Sequence, residues 1–241
     1  MDMRRELDAL AQRYRLDADA VARLARVIAS VASDPHAPTT VRDPRSAVDV
    51  HLADSLVGLE LAPIRTAARI ADLGAGAGFP GLPLAIALSH AEVALVESNG
   101  RKCAFLERAV DAAEITNAHV VHARAEEWED GIGRCDLVTA RALAAPAVVV
   151  EYAAPLLRIG GVVVVWRGRR DPQAETAGAR AAAELGLQVD GPVRVRPYAG
   201  AEHRYLHVMT KLTPTPPGFP RRAGMALKRP LGERASDRAR R

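Results

Sequence analysis

Asp72-Leu73-Gly74-Ala75-Gly76-Ala77-Gly78-Phe79-Pro80-Gly81 is the stretch on which the fold turns. A short apolar strand pattern, Ile70 to Leu73, precedes it, and a helical pattern over Pro83 to Ser89 follows. Four glycines within eight residues let the main chain bend sharply and come close to a ligand. A plain strand-to-helix turn needs no such density. In an open parallel sheet a loop of this kind sits at the carboxyl ends of the strands, where ligands bind.

Downstream, strands and helices alternate. Glu92 to Glu97 reads as a second strand, Arg101 to Ala113 as a helix and His119 to His122 as a third strand. Asp136 to Thr139, a helix over Ala147 to Leu157, and Gly161 to Trp166 continue the rhythm. Alternation predicts parallel pairing with right-handed crossovers. The unbroken run Val162-Val163-Val164-Val165 suits a strand buried on both faces. After a helix near Ala174 to Leu185, the strand patterns Val193 to Arg196 and Tyr205 to Leu212 are joined by the short, turn-rich Pro197 to Glu202. No helix fits between them, so this pair is predicted antiparallel. The result is an α/β, Rossmann-like, seven-stranded sheet of the class I methyltransferase type.

Upstream, the pattern is helical. Leu7, Leu10, Ala11 and Tyr14 recur at helical spacing, and Asp17 offers an N-cap to a stripe of Val21, Leu24, Ile28 and Val31. Ser33 to Pro38 breaks the pattern, and a third helix is predicted over Ala47 to Glu60, with Val48, Leu52, Leu56 and Leu59 on one side. The chain is thus divided into an N-terminal helical cap (1–66), a sheet domain (67–213) and a basic, flexible tail (214–241).

The ligand of the loop is the next question. Gly76, Gly78 and Gly81 satisfy the dinucleotide pattern G-x-G-x-x-G, which alone is a weak signal. Asp72 favours S-adenosylmethionine, because a carboxylate suits an ammonium and a sulfonium and repels a pyrophosphate. Pro80 and Pro83 also remove N–H donors that a phosphate would use. Glu97 closes the second strand, 19 residues after Gly78, where a carboxylate can accept both ribose hydroxyls of either ligand. Ala125-Glu126 follows the third strand, where an adenine edge would lie. Arg141 ends the fourth; the Asn/Asp-Pro-Pro-Tyr/Phe motif of amino-group methylation is absent there, and a guanidinium suits a carboxylate or the acceptor edge of guanine.

Composition narrows the class. The two cysteines, Cys103 and Cys135, make neither a disulfide framework nor a zinc site. No apolar run approaches the ~20 residues of a membrane span, and the first residues lack a signal-peptide core. A cytoplasmic protein without membrane contact is the expectation. The net charge of +4 is concentrated from Pro214 onward, where Arg221, Arg222, Lys228, Arg229, Arg234, Arg238, Arg240 and Arg241 face only Glu233 and Asp237. Such a tail is a common phosphate-seeking device.

Together these residues resemble the ribosomal RNA small-subunit methyltransferase G family, also called glucose-inhibited division protein B. The resemblance runs from about Val41 to Leu212. It rests on Val41-Arg42-Asp43-Pro44 with His51-Leu52-Ala53-Asp54-Ser55, on Asp72 to Pro83, and on Glu97-Ser98 with Arg101-Lys102 and Phe105-Leu106. Ala125-Glu126-Glu127 and Arg141-Ala142 extend it, and Phe219 to Gly224 with Lys228 to Leu231 is similar to a tail found in some members. Trp166-Arg167-Gly168 stands where the family often has Lys-Gly; arginine keeps the charge with a different geometry. Val50 precedes His51 where a basic residue is often found.

The resemblance implies S-adenosylmethionine-dependent methylation of guanine N7 in 16S ribosomal RNA, with small-subunit RNA as partner, a monomeric enzyme and no metal. It places cofactor contacts on Gly74, Phe79, Ala125, Glu126 and Arg141. Arg141 and Arg167 are then positioning groups, and Arg101, Lys102 and the basic tail phosphate contacts. Two other classes stay open on the residues alone: an NAD-linked oxidoreductase, and a non-catalytic RNA-binding or ribosome-assembly protein. His51, Asp54 and Ser55 have the residue types of a hydrolase triad, but at this spacing they share one helix face instead of placing the histidine between its partners. They are expected to brace the cap or to touch RNA.

Overall fold

The structure, a computed structural model, describes residues 3–232. Helix α1 (Met3–Tyr14) leads into α2 (Ala18–Ser33), whose first turn is capped by the Asp17 carboxylate accepting the Ala20 N–H. Leu24, Val27, Ile28 and Val31 form the buried stripe of α2. Asp43 caps α3 (Pro44–Ala47) in the same way through Ser46 N–H.

The helix predicted over Ala47 to Glu60 is helical throughout but not a single α-helix. Val48–Ala53 widens into a π-helical turn, α4 follows (Asp54–Leu56), Val57–Glu60 tightens to a 3₁₀ turn, and α5 is Ala62–Thr66. The one-sided apolar stripe was also too narrow a reading. From Ala47 to Leu59 every residue except Asp49 and Val50 is buried. The reason is tertiary: the segment packs against α6 (Gly81–Ala87) on one side and against the sheet rim on the other, where Trp166 Nε1 donates to the Asp54 carbonyl at 2.7 Å.

The sheet comprises β1 (Arg69–Leu73), β2 (Glu92–Glu97), β3 (Ala118–His122), β4 (Cys135–Arg141), β5 (Leu157–Arg167), β6 (Leu187–Arg194) and β7 (Tyr205–Lys211). Their order is β3-β2-β1-β4-β5-β7-β6. The first five strands pair in parallel, and β7 runs antiparallel to both β5 and β6. Because β7 is reversed, its first residue meets the carboxyl ends of the parallel strands: Tyr205 pairs with Arg167. Strand β6 starts six residues before the predicted Val193, at Leu187. A register shift between Val189 and Gly191, followed by Pro192, breaks its alternation, as an edge strand tolerates.

Helices α7 (Gly100–Ala112) and α6 lie on one face, and α8 (Pro146–Leu156) and α9 (Pro172–Glu184) on the other. The apolar cluster holding Leu24, Ile28 and Leu56 of the cap also holds Leu82, Phe105, Val164 and Trp166. The cap therefore shares the core of one sheet face. Among the described residues no helix is long and apolar enough to cross a membrane.

The expectation of a flexible tail fails for residues 214–232. Arg221 makes a two-pronged ion pair with Glu151 of α8, at 2.6 and 2.5 Å. Phe219 and Leu231 pack on the apolar cluster under α8 and α9, and Ala226 of the short helix α10 (Met225–Lys228) is buried in it. Apolar residues spaced among the basic ones, and a buried carboxylate waiting on α8, override the charge pattern. The final basic residues, from Arg234 on, lie outside the described residues.

Candidate active site

Loop 74–80 begins where β1 ends. Gly74 has φ +64°, a left-handed backbone that favours glycine, and a Cβ there would lie 2.6 Å from Leu143 Cδ1, which would have to swing aside. The Gly74 and Ala75 N–H groups donate to the Val96 carbonyl at 2.8 and 3.1 Å, which pins the loop to β2.

Asp72, which the sequence reading set against a ligand, is buried. It is 1% exposed and lies beneath the loop, accepting from Gly81 N–H at 2.9 Å and from Thr139 Oγ1 at 2.8 Å. A residue on a central strand covered on both faces points into the core, so its carboxylate holds the loop from below. Burial pushes its pKa up to about 6, against the opposing pull of those two hydrogen bonds.

Glu97 ends β2 and is 5% exposed. Its Oε2 accepts Gly76 N–H at 3.1 Å and its Oε1 accepts Asn99 N–H at 2.9 Å, so one lone pair per oxygen is left for a ligand. Asn99 in turn caps α7 through Arg101 and Lys102 N–H groups. Lys102 Nζ stands 3.8 Å from Glu97.

Gly74, Val96, Glu97, Ser98 and Lys102 form one side of a cavity of about 270 Å³. Ala123 to Glu126, after β3, and Ala142 to Ala144, after β4, form the other, with Tyr152 of α8 and Leu227 of α10 closing it. Ala142 adopts φ +54°, a left-handed conformation costly for alanine, at the point where β4 meets the cavity. The cavity offers two carboxylates, Glu97 and Glu126, two cations, Lys102 and Arg124, main chain and apolar side chains. Those groups fit an adenosine: acceptors for two hydroxyls and an apolar slot for a base.

Four of the sequence-selected residues, Gly74, Glu97, Ala125 and Glu126, come together around this cavity. Phe79 and Arg141 are not among its walls. They meet beside it, over β4, in a second cluster. Arg141 Nη1 donates to the Val50 carbonyl at 3.0 Å and to Asp54 Oδ2 at 3.1 Å, and its guanidinium lies 5.3 Å over the Phe79 ring. His51 also stacks on that ring, with centroids 4.4 Å apart, and its Nδ1 lies 3.5 Å from Arg141 Nη2. Nε2 of His51 lies 3.1 Å from the Val41 carbonyl, which can only accept, so Nε2 carries the proton and Nδ1 faces Arg141 as an acceptor. Burial first, then the charge of Arg141, holds the His51 pKa below its usual value.

Asp54 also accepts from Arg204 Nε through Oδ1 at 3.1 Å, so one carboxylate bridges two arginines. Arg204 was missed by the sequence reading; the signal was its place just before β7, the strand whose start reaches the rim. Ser55 donates to the His51 carbonyl rather than to its ring, at 2.5 Å, and no triad forms. These side chains brace the cap against β4, as expected. Arg167 ends β5, with Nη1 3.5 Å from the Ala144 carbonyl at the cavity edge.

The profile of the rRNA small subunit methyltransferase G family matches residues 23–191. The chain is 42% identical over 202 residues to the ribosomal RNA small subunit methyltransferase G of Chloroflexus aggregans, covering 80% of this chain and 82% of that protein. It is 40% identical over 196 residues to the protein of the same name from Rubrobacter xylanophilus, covering 79% and 75%. Among solved structures, a SAM-dependent methyltransferase from Aquifex aeolicus superposes with TM-score 0.58 at 14% identity, over 74% of this chain and 99% of that one, which speaks for the fold. A glycine loop pinned over a buried carboxylate, a second carboxylate at the end of β2, a reversed seventh strand and these relatives lead to one conclusion: the chain belongs to the rRNA small subunit methyltransferase G family.

Proposed function

We propose that this chain methylates N7 of a guanine in 16S ribosomal RNA, in the cytoplasm and as a monomer, using S-adenosylmethionine held in the cavity between Glu97 and Glu126. The coarser statement, a methyltransferase of small-subunit ribosomal RNA, follows from family membership. The N7 target is what the family resemblance implies; the donor's place in the cavity is carried by a single feature, the buried Glu97 carboxylate. It is fixed by two main-chain N–H groups and keeps acceptor capacity toward the cavity.

When bound, S-adenosylmethionine supplies an electrophilic methyl group. Gly74 lets the main chain lie close to it, Glu97 accepts the ribose hydroxyls, and Ala125 and Glu126 meet the adenine. Guanine N7 has an in-plane lone pair and no proton, so no general base is required. His51, a buried imidazole beside the site, is stacked and hydrogen bonded within the cap. The protein acts by alignment, an effect worth up to roughly 7–11 kcal/mol in favourable cases. Arg141, Phe79 and Arg204 occupy the rim over β4 and β7, beside the cavity, where an unstacked base would enter. Arg141 presents its guanidinium there, and Arg167, Arg101 and Lys102 are the groups proposed to meet phosphates, with a contribution that falls as salt rises.

The test is incubation with methyl-labelled S-adenosylmethionine and small subunits lacking the modification, followed by nucleoside analysis. Label in 7-methylguanosine of 16S RNA is expected. Label in another nucleoside refutes the N7 assignment, and micromolar binding of NADH with none of S-adenosylmethionine refutes the cofactor.

A further inference from the structure

The docked C-terminal strap reaches the donor cavity itself. Leu227 of α10 is one of its walls, although the residue is 57% exposed and is the most exposed large apolar side chain among the described residues. Such exposure is normal for a scattered surface leucine. It is informative here because the same side chain faces a slot lined by Ala125, Leu143 and Tyr152.

Three contacts hold it there. Gly224 N–H donates to Glu126 Oε1 at 2.9 Å, tying the start of α10 to the turn after β3. Arg221 grips Glu151, which is 2% exposed and adjoins Tyr152 on α8. Arg221 also donates to the Arg229 carbonyl at 2.9 Å, closing the strap around α10. A charge buried like Glu151 is costly without its partner, so the clamp favours the docked strap.

Resting on the donor reading above, we propose that the strap is a working wall of the donor site. Leu227 packs on the adenine ring, and Arg221 acts as a positioning residue that holds it there. Leu227, Ala125, Leu143 and Tyr152 give the cavity its apolar lining, the part suited to a base, whereas Glu97 suits the sugar. The demethylated product carries the same adenosine, so Leu227 contributes equally to donor and product. Its loss raises KM and leaves kcat nearly unchanged. A strap that served only to collect RNA phosphates would instead act through RNA and depend on salt.

Calorimetric titration of S-adenosylmethionine and S-adenosylhomocysteine, without RNA, into the full chain and its variants decides the matter. Leu227→Ala is expected to weaken both ligands roughly tenfold, equivalent to about 1.4 kcal/mol, at low and high salt alike. Arg221→Ala is expected to cause a similar loss, and the double variant no more than Arg221→Ala alone. Both ligands are expected to slow tryptic cleavage after Arg222 and Lys228. Unchanged affinity in Leu227→Ala, with the parent chain binding normally, overturns the proposal. A parent chain that binds neither ligand overturns the donor reading instead. If Arg221→Ala melts early by circular dichroism, Leu227→Ala alone decides, since an exposed leucine is dispensable for folding.

Discussion

Over β1, β2 and β3, the carboxyl rim of the sheet is an open cavity walled by main chain, two carboxylates and two cations. Over β4, β5 and β7, the same rim carries side chains already paired: Arg141 and Arg204 with Asp54, and Phe79 stacked with His51. The first half is made chiefly of βα turns, each a few residues long, with Tyr152 and Leu227 closing it. The second is made of pieces far apart in the chain, from Val41 in the cap to Arg204 before β7. The difference teaches how labour is divided. In the proposed function, a small ligand is held chiefly by local turns on a rigid sheet, whereas the side that would meet a large substrate is assembled by docking the cap.

Substitutions on each half should therefore separate. The largest effect is expected from Gly74→Val, which forces a β-branched residue to φ +64° and into Leu143. Donor affinity should fall by about a hundredfold or more, read by titration; near-normal binding would mean that the cavity is not the donor site. Asp54→Ala removes the carboxylate shared by two arginines. Stability should fall by about 2–4 kcal/mol in denaturant unfolding, with methyl transfer to RNA lost and donor affinity within about twofold of the parent. A collapse of donor binding would erase the distinction between the two halves.

Asp72→Asn tests the support beneath the loop through pH. The folded-state pKa of Asp72 is raised from 3.8 to about 6, so the folded state holds the proton more tightly than the unfolded chain. In the parent, this carboxyl disfavours folding progressively as pH climbs from about 4 to about 6, and fully above that. The amide carries no such penalty. The variant should gain stability relative to the parent across that window, by an amount of order 3 kcal/mol at neutral pH, less whatever its altered hydrogen bonds cost. A stability difference flat with pH would show that Asp72 is not buried as described. The smallest effect is expected from Glu97→Gln, which keeps the shape but places an amide NH₂ against donors. Roughly a tenfold loss of donor affinity should follow, with the melting temperature little changed.

Most of the first half was legible in the residues. Glycines, a strand before and a helix after announce the loop, and Glu97 and Ala125-Glu126 were placed by counting strands. The departures have a common cause. Asp72 has the charge of a ligand contact, yet its place on a central strand turns it inward under Gly81. Phe79 and Arg141 were grouped with the donor contacts; in the structure they stand beside the cavity, stacked on His51 and paired with Asp54. The 214–232 segment looked like a solvated tail because Glu151, the partner that docks it, lies on another helix.

Periodicity, turn chemistry and glycine placement are properties of short windows, so the chain alone determined the order of its strands and helices, the loop that bends at Gly74 and the residues that end the first four parallel strands; the fifth runs from Leu157 to Arg167, longer at both ends than the Gly161 to Trp166 pattern. Which of those residues share a wall depended on contacts spanning up to 150 positions, such as Asp54 with Arg204. Burial and pairing are energies of the assembled body, and no local pattern carries them. Only the packed molecule could decide that Arg141 belongs to the cap, that Asp72 lies below the loop, and that the strap comes back to the cavity.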